Sequence, residues 1–177
     1  LGNATVILTD KTGTLTESAM RVVEVYPRED ADRVLSAARA AMTDLSLSIT
    51  DRAVAGAAAA RSLPAPAGRV LRERSFDRGR NTRAVIREED GRATLFLIGA
   101  PEEVLARAAG GNHGAVEALA AEAAKGRRVI GVAHRDLAPG DAVVLYSDGV
   151  TDARDPSGKF FGLARLKTLA EEAARSN

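Results

Sequence analysis

The chain has 177 residues, of which 45% are hydrophobic, enough for one domain or two small ones with a substantial core. Its 25 basic and 24 acidic residues nearly cancel, so nucleic acid is not an expected partner. The absence of cysteine excludes disulfides and thiol-ligated metals and is compatible with a cytoplasmic location. The run Ala53 to Ala60 is far shorter than the roughly 20 residues of a membrane span. Direct membrane insertion is therefore not expected.

The chain opens with a β-branched apolar run, Thr5 to Thr9, which predicts a buried strand. The strand leads into a polar heptapeptide, Asp10 to Thr16, and open α/β sheets place their chemistry at such strand ends. An aspartate can attack phosphorus, Lys11 supplies positive charge, and Gly13 lets the backbone bend toward a phosphate. The segment therefore predicts a phosphate site, with an ordinary strand and polar turn as the alternative.

This heptapeptide resembles the phosphorylation signature of the P-type ATPases, the ion and lipid pumps that pass through an aspartyl phosphate. The resemblance implies that Asp10 is the residue phosphorylated by ATP and that Lys11 and Thr12 line the phosphate site. It also implies a parent pump whose membrane helices are absent from this chain.

The following residues predict an α+β module of helices and antiparallel strands, inserted after the first strands. Turn signals punctuate it, notably the sequence Glu89-Asp90-Gly91, which is typical of a hairpin. The predicted strands are Arg21 to Tyr26, Val70 to Phe76, Thr82 to Glu88, Arg92 to Ile98 and Arg127 to His134. The predicted helices are Ala31 to Met42, capped by Asp30, then Asp51 to Arg61, Pro101 to Ala109 and Ala115 to Lys125.

Short motifs within this module extend the pump resemblance. The segment from Phe76 through Arg78 to Arg80 resembles the adenine-stacking segment of the pumps, although Phe76 could instead be a core aromatic at a strand end. Gly99 and Ala100 begin a segment similar to the Gly-Ala-Pro-Glu part of the pumps' nucleotide loop. The segment with Arg128 is similar to the pumps' Gly-x-Arg-Val strand, and the segment that ends at Asp51 is loosely similar to the one that contributes an acidic residue near the adenine. Two positions depart from the family pattern, since Ile98 and Asn81 stand where the pumps usually have lysine. The resemblance implies ATP binding, weakened by the two missing lysines.

After Leu137 the pump resemblance ends. The segment with Asp148, Asp152 and Gly158 to Gly162 resembles the C-terminal part of metal-dependent serine/threonine phosphatases of the bacterial stress-response type. There, the aspartate equivalent to Asp148 binds a catalytic metal, but no counterpart of the rest of that metal site is evident upstream, so phosphatase activity of this type is not expected. The last predicted element is an amphipathic helix from Leu163 to Ala174.

The sequence from Asp148 to Ala153 also resembles the hinge motif of the pumps, whose aspartates help to hold Mg²⁺. A shortened sheet that pairs residues 6–9 with a strand at 142–146 would bring Asp10, Asp148 and Asp152 around one Mg²⁺, for which carboxylates are suitable ligands. The alternative is that Asp148 and Gly149 form an ordinary turn after a strand.

The expected fold is α+β: an antiparallel sheet flanked by helices, with a partial α/β dehalogenase-like phosphorylation segment. The expected divisions are 1–26 for the phosphorylation motif, 27–137 for the nucleotide-binding domain and 138–177 for the tail. Three functions stay open: an ATP-binding fragment of a cation pump, a non-catalytic nucleotide-binding or interaction module, and a compact Mg²⁺-dependent phosphohydrolase that works through Asp10.

Overall fold

The structure, a computed structural model, describes residues 19–43, 48–77, 79–109, 114–138, 141, 143–144 and 148–175. In this described part, the fold is a four-stranded antiparallel sheet with helices against it, which confirms the expected α+β class. The strands are β1 (Arg69–Asp77), β2 (Thr82–Glu89), β3 (Arg92–Gly99) and β4 (Gly131–Leu137), in the spatial order β1-β2-β3-β4. The helices are α1 (Ala31–Ala40), α2 (Ile49–Ala60), α3 (Pro101–Leu105), α4 (Ala115–Ala124), α5 (Asp148–Thr151) and α6 (Gly162–Arg175). No described helix is long and apolar enough to cross a membrane.

The central hairpin follows from its turn residues. Glu89 pairs with Arg92, which leaves the two-residue loop Asp90-Gly91, and both loop residues have positive φ angles of 50° and 75°. Two positive φ angles define the type I′ turn that matches the twist of antiparallel strands. The predicted strands β1, β2 and β3 are confirmed to within one residue at each end.

The core lies between one face of the sheet and the helix pair α1 and α2. Its buried members include Leu35, Ala38, Val54, Ala58 and Ile98, which are at most 6% exposed. Alanines at the helix contact allow the two helices to approach closely, while the larger side chains fill the space toward the sheet. Ile98 is part of this core, which explains structurally why an apolar residue stands there.

Two arginines of β2 connect the sheet to both helices. Arg83 donates to Asp51 near the start of α2, and Arg87 donates to the carbonyl oxygens of Ala40 and Met42 at the end of α1, both at 2.8 Å. The first contact neutralises a buried carboxylate, and the second satisfies carbonyl groups that a helix end leaves without partners. Both helices are therefore fixed to the same strand.

Three sequence predictions are corrected. The segment Arg21 to Tyr26 is not a strand. Val22 and Val25 pack on the core while Val23 is 52% exposed, so the spacing is not that of a paired strand. The strand predicted from Arg127 begins four residues later, at Gly131, because the segment after α4 first has to turn back toward the sheet. The helix predicted from Pro101 to Ala109 ends at Leu105.

The start of α2 is also earlier than predicted, at Ile49. Ser48 occupies the N-cap and accepts a hydrogen bond from the Asp51 backbone N–H, while the Asp51 side chain accepts from the Ser48 backbone N–H. This reciprocal arrangement is a capping box, which fixes where a helix begins. Helix α6 confirms the predicted amphipathic helix. Residues 5–16 and most of the strand predicted at 142–146 lie outside the described residues.

We expect Gly99→Ala to destabilise the fold by about 1–3 kcal/mol, the usual range for overpacking. A Cβ atom at Gly99 would lie 2.1 Å from the Asn81 carbonyl oxygen and 2.7 Å from the Thr82 Cα, so backbone would have to move. Urea denaturation followed by circular dichroism measures the change. The control is Gly56→Ala in α2, where nothing lies within 4 Å and alanine should stabilise the helix by about 0.5–1 kcal/mol. Equal stabilities of the two variants would contradict the close contact at Gly99.

Candidate functional site

One end of the sheet brings together several of the residues that the sequence singled out. The register pairs Asp77 with Thr82, Thr82 with Gly99, and Gly99 with Gly131. These four residues define what we call the Gly99 end. Phe76 lies one residue before the end of β1, and Ala100 directly follows β3. A set of residues that are far apart in sequence thus meets at one edge because antiparallel strands alternate their ends.

Phe76 is an exposed aromatic side chain at this end of the sheet, with 58% of its area accessible. The alternative interpretation, a core aromatic at a strand end, does not fit this exposure. An exposed ring offers a flat apolar face on which another aromatic ring can stack. The side chain is therefore available to a ligand.

The turn that follows Phe76 is held by Asp77. Its carboxylate accepts hydrogen bonds from the Gly79 backbone N–H at 2.7 Å and from the Arg80 guanidinium at 2.6 Å. The Gly79 hydrogen bond, supported by those of Arg80, lowers the pKa of Asp77 below its ordinary value. Asp77 therefore remains ionised at neutral pH and fixes the loop between β1 and β2. Arg78 lies outside the described residues.

Gly99 and Ala100 contribute backbone at this end. Gly99 lies against Asn81 and Thr82 so closely that no side chain fits, and the Ala100 N–H donates to the Asn81 carbonyl oxygen at 2.8 Å. Asn81 itself has a positive φ of 50°, which asparagine tolerates better than most residues. The geometry explains Gly99 by backbone packing. Arg128 lies in the segment that enters the sheet at the same end, three residues before Gly131.

Asp51 reaches the Gly99 end through Arg83, the residue that follows Thr82. The guanidinium binds both carboxylate oxygens, with an Arg83 Nη2 to Asp51 Oδ1 distance of 2.9 Å, and the Ser48 hydroxyl donates to the same carboxylate at 2.7 Å. Burial opposes ionisation of Asp51, but the hydrogen bonds from Arg83 and Ser48 outweigh it, so the pKa lies below the ordinary aspartate value. The carboxylate is thus already engaged by the protein.

Two of the three candidate metal ligands lie at or beside α5. Asp148 is the first residue of α5, Asp152 follows that helix and is exposed, and α5 packs against α6. Among the residues that the structure describes, no group of three or more histidine, aspartate or glutamate side chains is arranged to hold a metal ion. The described residues alone therefore do not form a complete metal site. Asp10, Lys11 and Thr12 lie outside them.

A cavity of 790 Å³ lies at the other end of the sheet, beside the hairpin turn, and holds none of the predicted site residues. Some of its polar lining residues are hydrogen-bonded to one another, since the Thr94 hydroxyl donates to Asp136 at 2.9 Å. The candidate site for a stacking ligand is therefore the Gly99 end, where the exposed aromatic lies.

Sequence reasoning missed two arginines at this end: Arg83, which binds Asp51, and Arg74, whose guanidinium donates to the Thr82 hydroxyl at 3.1 Å. The sequence contains a signal for the Asp51 side of the Asp51–Arg83 pair, because Ser48 and Asp51 have the spacing of a capping box, which places the carboxylate at a helix start. No local signal identifies Arg83 or Arg74, since each bonds to a residue on a different helix or strand.

Comparisons with known proteins place the chain in a class and then in a family. The family model for stage II sporulation protein E (SpoIIE) matches residues 81–177, and this family is one of PPM-type phosphatases. The match covers more than half of the chain, so the chain belongs to the SpoIIE family. No curated protein is similar enough to match.

The match confirms the resemblance of residues 138–177 to the PPM-type phosphatases, and it extends upstream across residue 137 to the start of β2. The family implies a hydrolase that depends on a divalent metal such as Mg²⁺ or Mn²⁺. Neither comparison supports the resemblance of residues 1–137 to the P-type ATPases, nor a bound ATP.

We expect Asp51→Ala to cost about 3–5 kcal/mol of stability, because it leaves the Arg83 guanidinium buried without its counter-charge. Both side chains are about one tenth exposed. The matched control is Asp32→Ala, which removes an ion pair with Arg61 whose side chains are 62% and 49% exposed, and it should cost less than about 1 kcal/mol. Urea denaturation at pH 7 measures both, and similar losses would contradict a special role for the buried pair.

The same pair gives a pH dependence. Because the native pKa of Asp51 is lowered, its stabilising effect is present above the unfolded value of about 3.9 and is lost as the pH falls through the lower native pKa. The stability difference between the wild type and Asp51→Asn should therefore be largest near pH 7 and shrink below about pH 4.

Proposed function

We propose that the chain is a metal-dependent phosphohydrolase that acts on phosphate esters. The observation that carries this proposal is the family match over residues 81–177, which includes the segment with Asp148 and Asp152. Of the three functions that the sequence leaves open, the compact phosphohydrolase agrees best with this match. The formal net charge of +1 gives no reason to expect a nucleic-acid substrate.

We propose Asp148 and Asp152 as metal ligands, with Asp10 as a third. Carboxylate oxygens are the ligands that Mg²⁺ prefers, so the chemistry of this donor set is suitable. The described residues do not complete the site, and the proposal therefore requires ligands from outside them. A divalent ion at such a site supplies positive charge to phosphoryl oxygens and acidifies bound water.

Hydrolysis of p-nitrophenyl phosphate by the purified chain tests this function, with Mg²⁺ or Mn²⁺ added and with a chelator as the blank. We expect turnover that the chelator abolishes and that Asp148→Asn lowers by at least about 10- to 100-fold. The control is Asp90→Asn, a carboxylate in the same matched region that lies in the hairpin turn, where asparagine suits the positive φ. Unchanged metal affinity and turnover in Asp148→Asn would overturn the assignment of Asp148.

A second candidate function is nucleotide binding at the Gly99 end, and the exposure of Phe76 favours it. Stacking of a base on an aromatic side chain contributes about 1–3 kcal/mol. The ligand proposed on this basis is ATP, with Phe76, Gly99, Ala100, Arg128 and Arg78 around it. Asp51 would act there indirectly, through its pair with Arg83. A pump fragment with Asp10 as the phosphate acceptor, working at the cytoplasmic side of membrane helices, is the most specific form of this proposal.

Titration calorimetry with a non-hydrolysable ATP analogue tests this binding. If stacking contributes as expected, Phe76→Ala weakens the affinity by about 5- to 150-fold. Phe160→Ala is the matched control, since Phe160 is 51% exposed but lies outside the sheet, where Arg154 stacks on its ring at 4.0 Å. Equal affinities of the wild type and Phe76→Ala would exclude stacking on this ring.

The two experiments together separate the candidate functions. Metal-dependent turnover supports the phosphohydrolase, and nucleotide binding without turnover supports the nucleotide-binding module. If neither is found, an interaction module without catalysis is the remaining function.

A further inference from the structure

The strand that carries Phe76 contains an irregularity just before its end. Arg74 pairs with Ala84, and the next pair is Asp77 with Thr82. Two residues of β1, Ser75 and Phe76, therefore stand opposite one residue of β2. This two-against-one arrangement is a β-bulge, which breaks the regular alternation of a strand and changes the direction of its side chains.

Arg74 spans the bulge with its guanidinium group. Its Nη2 atom donates to the Thr82 hydroxyl at 3.1 Å and its Nη1 atom to the Thr82 carbonyl oxygen at 3.2 Å. Nη1 also lies 3.8 Å from the Asp77 carboxylate. One side chain thus links the residue before the bulge to the residue after it and to the facing strand.

The residue that Arg74 holds is itself fixed. Thr82 is fully buried, and its Cα and Cγ2 atoms lie against Gly99, where no Cβ would fit. The Arg74 side chain is only 17% exposed, so its hydrogen bonds are partly shielded from water. Phe76 therefore lies between two anchored residues, Arg74 and Asp77, while its own ring is exposed.

We propose that Arg74 is a positioning residue, which holds the bulge so that the Phe76 ring is presented to a stacking ligand. This inference rests on the proposed nucleotide binding at the Gly99 end. A planar guanidinium can donate to both Thr82 oxygens and face Asp77 at the same time, which the single ammonium of lysine cannot reproduce. Arg74→Lys is therefore not expected to restore the function.

The test is a double-mutant cycle for the affinity of the ATP analogue, with Arg74→Gln, Phe76→Ala and the double variant. If Arg74 acts through Phe76, Arg74→Gln weakens binding by about 5- to 150-fold in the wild type and has no further effect when Phe76 is already alanine. Equal weakening in both backgrounds would show a general structural role and overturn the inference. The control is Arg72→Gln, an exposed arginine of the same strand that donates to the neighbouring Leu71 carbonyl oxygen.

A second readout needs no nucleotide. Fluorine NMR of the chain labelled with 4-fluorophenylalanine, with the Phe76 signal assigned by Phe76→Leu, reports the surroundings of this ring. We expect Arg74→Gln and Arg74→Lys to shift or sharpen that signal, and Arg72→Gln to leave it unchanged. An unchanged Phe76 signal in folded Arg74 variants would overturn the positioning role. If the wild type binds no nucleotide but the signal still moves, the nucleotide-binding proposal fails while the positioning of Phe76 stands.

Discussion

The structure depends on the cationic face of β2. Arg83 and Arg87 are four residues apart, so they point to the same side of the strand, and Val85 between them is fully buried. One arginine pairs with the acidic start of α2 and the other binds carbonyl groups at the end of α1. The partial negative charge at the C-terminal end of α1 favours Arg87 directly. The partial positive charge at the N-terminal end of α2 favours the Asp51 carboxylate, which in turn pairs with Arg83.

This constraint links the helical layer to the candidate site. Arg83 lies directly after Thr82, the residue at which the Gly99 end is most tightly packed. The Asp51 carboxylate consequently satisfies a helix start and a buried guanidinium at once. A buried polar group with several hydrogen-bond partners favours one arrangement of the helices on the sheet. A displacement of α2 relative to β2 would leave a buried charge without its partner.

Much of the fold could be predicted from the sequence, because local chemistry determined it. The Asp90-Gly91 turn fixed the hairpin between β2 and β3. Where tertiary packing dominated, prediction was wrong: residues 21–26 have strand-forming side chains, yet Val22 and Val25 simply cover the core. Local motifs single out Phe76, Gly99 and Ala100 as candidates, but the exposure of Phe76 and the bulge beside it depend on contacts with β2 that no local pattern contains.

The hairpin tip and the Gly99 end of the sheet differ in how much free space surrounds the backbone. Close glycine contacts occur at both ends, at Gly99 and at Gly68 against Glu88, but the hairpin tip itself is open, since a Cβ at Gly91 would meet nothing within 4 Å. Exposed turns of this type accept added residues with little loss of stability. During evolution the hairpin could therefore lengthen at its tip without disturbing the opposite edge, and the same tip is the natural place to attach a reporter group.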